Sequence, residues 1–327
     1  MRTIVNINRK WAFTKQATQV PAELPTLWDW VNLPHTWNNI DGQDGGNDYK
    51  RGACRYETAF PMPAFDPETQ EVWIEFDGVN SSAKVDVNGT TVATHDGGYS
   101  TFRAEITSLL AEENTLVVTA DNSVNDKVYP QKADFTFYGG IYRGVRLLVV
   151  NKDHFVLDYL GSTGIRVTAT PEGKGAKVRV QSRVTAGEVV ITLKDHKDRV
   201  VGTANGADVT IEMEKAHRWH GVEDPYLYTC HAEVVVDGAV TDALDIPFGV
   251  RSFRVDPKIG FILNDKPYAL HGVSRHQDRK GLGNAITKAE HDEDMKLIAE
   301  MGCNTVRLAH YQHDQYFYDL CDKYGMV

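Results

Sequence analysis

The chain has 327 residues, more than one hydrophobic core usually organises, so it reads as two or three domains. Hydrophobic residues at 42% and charged residues at 24% lie close to globular averages and exclude a disordered chain, a fibre or a low-complexity repeat. With 35 Lys and Arg against 45 Asp and Glu, the net charge is −10, which excludes sequence-independent binding to nucleic acid or to an anionic membrane.

The first nine residues lack the apolar core of a signal peptide, and no apolar run approaches the roughly 20 residues of a membrane span. The cytoplasm is therefore the expected location. Cys54, Cys230, Cys303 and Cys321 have no paired short spacing, so they read as reduced thiols rather than a disulfide framework or a zinc site.

Residues 1–150 have the texture of short alternating β segments, such as Val72-Trp73-Ile74-Glu75-Phe76, broken by Gly, Asn and Asp. Asn88-Gly89 between two such runs predicts a type I′ hairpin, because both central residues must take positive φ. Trp11, Trp28, Trp30 and Trp37 fall in a Pro-rich stretch that reads as irregular and folded onto the sheets. The expected unit is a jelly-roll-like β-sandwich.

Residues 151–253 turn to Val-rich alternation, with strands at intervals of roughly 10 to 15 residues, the pattern of an immunoglobulin-like sandwich. From residue 254 the order becomes strand, helix, strand, helix. Residues 267–273 predict a strand. Thr287 with Glu290 three residues on forms a capping box that opens a helix, whose apolar stripe is Met295, Ile298 and Met301 and whose stop is Gly302. Residues 304–308 predict a second strand, and a second helix carries Phe317, Leu320, Cys321 and Tyr324 and ends at Gly325. Met326 and Val327 read as the start of a third strand. The fold class is thus mainly β, with two sandwiches followed by the first β/α units of a (β/α)8 barrel that reads as begun and not completed.

Two polar clusters follow the two late strands, Ser274-Arg275-His276-Gln277-Asp278 and His310-Tyr311-Gln312-His313. In a β/α barrel the functional groups stand at the C-terminal ends of strands, where loops vary on a rigid sheet. A metal alternative would combine His276, His310 and His313 as three ligands. Nucleophilic catalysis by Ser274 lacks a supporting elbow motif, and neither Gly281-x-Gly283 nor Gly173-Lys174-Gly175 completes a nucleotide loop.

Taken together, Phe248-Gly249-Val250-Arg251-Ser252-Phe253, Gly272-Val273-Ser274-Arg275-His276-Gln277-Asp278, Asn304-Thr305-Val306-Arg307-Leu308-Ala309-His310-Tyr311 and Gly139-Gly140-Ile141-Tyr142-Arg143 resemble glycoside hydrolase family 2 across the whole chain. The Arg-His and His-Tyr pairs look most like those of the family's β-galactosidases. The resemblance implies a retaining, exo-acting enzyme on terminal β-D-galactosides, with a carbohydrate as partner and a homo-oligomer as assembly. Alternatives are a β-glucuronidase or β-mannosidase of the same family, or a carbohydrate-binding or interaction module without catalysis.

Retaining glycosidases use two carboxylates about 5 Å apart, one protonating the leaving oxygen and one attacking the anomeric carbon. The family's acid/base sits in an Asn-Glu dipeptide, and none occurs here; residues 254–327 number 74, against the roughly 250 of eight β/α units. The chain is therefore expected to be an inactive portion of an enzyme, without either catalytic glutamate. The resemblance implies no cofactor within these residues, the family's divalent cation belonging further along. It assigns His276 and His310 to the sugar hydroxyls, Arg307 to ordering the carboxylates, Asp134 to the sugar pocket, and Asn47 or Asp48 to a loop touching sugar.

Overall fold

The computed structural model describes residues 2–16, 28–43, 48–129 and 133–327. Two antiparallel sheets build the first sandwich. One has six strands in the order Asp29–Val31, Trp11–Thr14, Ala53–Pro61, Glu113–Asp121, Ser82–Val87 and Thr90–Asp96. The other has four, Thr3–Asn6, Val145–Asn151, Gln70–Phe76 and Phe102–Glu105. Alternation places the core. Along Glu113–Asp121 the even positions Leu116, Val118 and Ala120 are buried, and they face Val72, Ile74, Phe76, Leu147 and Val149 of the other sheet. The expected hairpin forms at Asn88 (φ 50°) and Gly89 (φ 81°), joining Ser82–Val87 to Thr90–Asp96.

The early tryptophans correct the expectation of an irregular stretch. Trp11 lies fully buried in a strand and Trp30 sits in the edge strand paired with it, because alternation at 11–14 matches the sheet's pleat. Trp28 and Trp37 keep the expected character outside any strand, and Trp37 is buried with its indole N–H donating to the Lys50 carbonyl at 3.0 Å.

A second sandwich follows. Its sheets are Ile165–Glu172, Gly175–Ser182, Asp208–Met213 and Val200–Asn205, Glu188–Lys194, Tyr228–Val236, Ala239–Phe248, closed over Val178, Val180, Ile191, Leu193, Cys230 and Ala232. Arg2 crosses from the first sandwich to pair with buried Asp242 at 2.8 Å and to donate to the Phe155 carbonyl.

The C-terminal part opens with a small sheet of Phe253–Asp256, Gly260–Leu263 and Lys266–Pro267. Two parallel strands, Gly272–Arg275 and Thr305–Leu308, then alternate with α1 (Lys288–Glu300) and α2 (Gln315–Tyr324). Thr287 caps α1 as a capping box with Glu290, and Asp314 caps α2 by accepting from the Tyr316 N–H. Met295, Ile298, Phe317 and Leu320 pack between the helices and the strands.

The first of these strands begins five residues later than the sequence predicts. Tyr268 still belongs to the preceding hairpin, its N–H donating to the Phe261 carbonyl. The Asn304 side chain then takes the His271 N–H and the Ala269 carbonyl, satisfying backbone groups that a ladder would otherwise use. Met301 departs from the predicted apolar stripe: it is the C-cap of α1 and 69% exposed. Val327 runs beside the second parallel strand, bonding through its backbone to Asn304 and Val306, where a third strand was expected. Trp219 and Arg251 of the second sandwich hold this unit through the Asp322 carbonyl and carboxylate, each at 2.8 Å.

Candidate functional site

The two parallel strands deliver their following loops side by side. Ser274 pairs in register with Arg307, so His276 and His310 emerge from neighbouring strand ends. Their rings approach to 5.2 Å, nearly perpendicular. Arg307 reaches Ser274 Oγ at 3.2 Å and His310 Nδ1 at 3.1 Å. Because a guanidinium only donates, His310 Nδ1 accepts, and the neutral ring carries its proton on Nε2.

Tyr311 sets the other ring. Its Oη accepts from the Gln277 N–H at 3.2 Å and lies 3.4 Å from His276 Nδ1, so the phenol proton is free to point at that nitrogen. Burial lowers the pKa of His276, with His310 and Arg307 adding to the effect and Asp278 and Asp134 opposing it. His310 thus presents an Nε2–H donor, and His276 presents one when the Tyr311 phenol donates to its Nδ1.

The first sandwich supplies the facing wall. Phe135 stands 5.5 Å from the His276 ring, 6.0 Å from His310 and 5.2 Å from Tyr311. An open cleft of about 1040 Å³ runs from His276 and Asp278 across Phe135, Asp134 and Tyr138 to Gln43, Ile40 and Lys280. The turn at 279–283 that bears Lys280 is gripped by the sandwich. Gln43 donates to the Arg279 carbonyl at 2.6 Å and accepts from the Gly281 N–H at 2.5 Å, while Asn39 donates to the Gly281 carbonyl at 3.2 Å.

Four sequence-predicted residues meet around this cleft. His276 and Asp134 line it, and His310 and Arg307 stand beside it. Asp134 is exposed and makes no hydrogen bond or ion pair among the described residues. Asp48 is exposed and does not line the cleft; its neighbour Tyr49 does, with its hydroxyl accepting from the Phe137 N–H at 3.0 Å. Asn47 lies outside the described residues. His313 turns inward and is 1% exposed, with Nδ1 accepting from Arg275 at 3.0 Å and Nε2 donating to the Ala309 carbonyl at 3.2 Å. Both nitrogens are committed, so His313 could join a three-histidine metal site only by breaking one of these internal bonds.

Phe135, Tyr138 and Gln43 are site residues that sequence reasoning misses. Phe135 has one signal, its position directly after Asp134; Gln43 has none, since its side-chain partners lie 95 to 238 residues away.

Three family models match the chain in succession: "Glycosyl hydrolase 2 galactose-binding domain-like" over residues 44–144, "Glycosyl hydrolases family 2" over 156–251, and "Glycosyl hydrolases family 2, TIM barrel domain" over 255–327. A β-glucuronidase of Bacteroides fragilis is 38% identical, aligned to 100% of this chain and 49% of its own length. A β-galactosidase of Thermoanaerobacter pseudethanolicus is 31% identical, aligned to 100% of this chain and 46% of its own. Among solved structures, an FMN-binding β-glucuronidase from Facaelibacterium prausnitzii L2-6 superposes with a TM-score of 0.93 at 38% identity, over 100% of this chain and 51% of that one. The chain spans about half the length of the curated relatives it matches.

Proposed function

For a chain that belongs to glycosyl hydrolase family 2, we propose that the cleft between the first sandwich and the parallel strands is the sugar-binding side of a glycoside hydrolase site, and that the sugar is a β-D-glucuronide. The observation that carries the site is the convergence of His276, His310 and Phe135 with the exposed Asp134. An aromatic face packs against the apolar side of a pyranose, while two imidazoles and a carboxylate suit its ring of hydroxyls.

The choice of glucuronide replaces the galactoside expected from the motifs alone. It is supported by the names of the relatives compared, which are mostly β-glucuronidases with some β-galactosidases. Either sugar fits the donors and acceptors named here, so the support is comparative. The lining draws on both the sandwich and the barrel loops, which favours an enzyme site over a sandwich that binds sugar by itself.

In the reaction, bonds from His276 and His310 to the hydroxyls would accelerate cleavage to the extent that they strengthen as positive charge develops at the anomeric carbon. The two carboxylates of a retaining mechanism would come from outside these 327 residues, in which no Asn-Glu dipeptide occurs. The chain alone would then bind without turnover. Titrating it calorimetrically with methyl β-D-glucuronide and methyl β-D-galactoside, beside an assay with the chromogenic forms, tests both halves. Tighter binding of the glucuronide with no release of chromophore is the expected result; preference for the galactoside would reverse the substrate, and turnover would place a catalytic pair within the chain.

A further inference from the structure

We infer that Arg143 is a positioning residue for this cleft: rooted in the first sandwich, its guanidinium ties together the two loops that follow the parallel strands and so sets where His276 and His310 stand. The consequence for sugar rests on the function proposed above, whereas the mechanical role does not.

Arg143 is 5% exposed, and its donors divide between the two sides of a domain boundary. On the sandwich side Nη1 donates to the carbonyls of Asp77 at 3.3 Å and Tyr99 at 3.1 Å. On the barrel side Nη2 donates to Gln277 Oε1 at 3.3 Å and to the Gln312 carbonyl at 2.8 Å, one acceptor in each loop. Gln277, 1% exposed, directly follows His276, and Gln312 lies two residues after His310. The joint continues into α2, because Gln277 Oε1 also accepts the Asp314 N–H at 2.7 Å.

This arrangement needs a guanidinium. Four acceptors on opposite sides of one group match a planar, rigid fork of donors; an ammonium on a flexible stem is a point charge that cannot span them. Nor does the pattern look like one retained for stability. The nearest carboxylate, Asp314, is 3.8 Å away and partly exposed, and Arg143 Nε has no hydrogen-bond partner among the described residues. A buried cation so weakly neutralised is often no better for stability than an apolar side chain of similar volume, so geometry is what it supplies here. Room for its stem comes from Gly78, where a Cβ would lie 3.1 Å from Arg143 Cδ.

The test uses this chain with Arg143→Lys and Arg143→Ala. Hydrogen exchange is followed in peptides covering 276–281 and 309–315, with 113–121 as the internal reference, and affinity is measured with methyl β-D-glucuronide. Losing the charged bonds to both loops should speed their exchange and weaken the sugar by about ten-fold or more, while the reference peptide is unchanged. Millimolar methylguanidinium should restore affinity to Arg143→Ala but not to His276→Ala, a difference that a general loss of packing would not produce. Loop exchange in Arg143→Lys equal to that of the unsubstituted chain overturns the inference. If the unsubstituted chain binds no glucuronide, the sugar reading of the cleft fails, and exchange still decides the role of Arg143. Should the Arg143 variants not fold, Gln277→Leu opens the same joint from the barrel side, and unchanged exchange at 309–315 there is equally fatal.

Discussion

Tyr99 of the first sandwich and Tyr311 of the second barrel loop stack 4.5 Å apart with their rings 9° from parallel, so an aromatic contact closes the boundary across which the cleft is built. The Tyr311 hydroxyl does separate work, accepting the N–H of buried Gln277. Tyr311→Phe keeps the stack and strands that N–H, which should cost about 1–3 kcal/mol. Tyr311→Leu loses the stack as well, adding about 0.5–1.5 kcal/mol. Urea unfolding of both variants separates the two contributions; equal losses would mean that the stack contributes nothing, and an unchanged Tyr311→Phe that the hydroxyl bond contributes nothing.

Removing a single polar contact to bound sugar should be legible in affinity and silent in stability for exposed Asp134. Asp134→Ala is expected to weaken methyl β-D-glucuronide by about 1–3 kcal/mol, roughly five-fold to a hundred-fold in Kd, and to change the unfolding free energy by no more than about 0.5 kcal/mol. His310→Ala should do the same to affinity while freeing Arg307, whose only other polar contact is Ser274 among the described residues. Calorimetry and thermal unfolding on the same samples check both; an Asp134→Ala protein that binds normally removes that carboxylate from the site.

What could be read in the sequence was what is local. Thr287 and Glu290 announce the start of α1 three residues apart, Gly325 announces the end of α2 by its left-handed φ of 78°, and Asn88-Gly89 announces a hairpin. His276 and His310 were legible for a similar reason, since each follows its strand within three residues. What could not be read is whatever reaches across the chain. Arg143 meets Gln277 at a separation of 134 residues, and Gln43 meets Arg279 at 236; no pattern along the backbone encodes either pairing. The same limit displaced the strand expected at 267–273, because the partner that stops it, Asn304, comes more than 30 residues later.

Close backbone approach yields a prediction confined to the barrel start. A Cβ on Gly272 would lie 1.9 Å from the Thr305 carbonyl oxygen of the paired strand, a contact that only backbone movement relieves. Gly272→Ala should therefore part the two parallel strands and raise exchange throughout 272–275 and 305–308, with a cost of several kcal/mol by overpacking. The sandwich cores share no residue with this pair, so amides of 113–121 should keep their protection. Loss of protection in all regions together would show that the three units unfold as one.

Acid should destabilise the fold well above the usual carboxylate range, because several histidines are buried neutral. Burial lowers His35 and His291 to about 4 and His313 to about 3, and lowers His95 and His276 as well. At His291 and His313 the Arg275 guanidinium reinforces burial by donating to each Nδ1, with Arg143 adding to it, while Asp314 and Asp294 oppose it at His291. A depressed folded pKa means that the unfolded chain binds the proton first. The stability is present above about pH 6.5 and is lost as pH falls from there toward 4, by about 1.4 kcal/mol per pH unit for each net proton. Asp77 works in the opposite sense: burial raises it to about 6, so its folded form takes up a proton in the same window and offsets one histidine. His313→Gln removes one titrating group from the balance and should flatten the slope of unfolding free energy between pH 6.5 and 4.5 by about 1.4 kcal/mol per pH unit. Urea titrations at half-unit intervals measure that slope, and a variant as steep as the unsubstituted chain would show that His313 is not a source of the acid sensitivity.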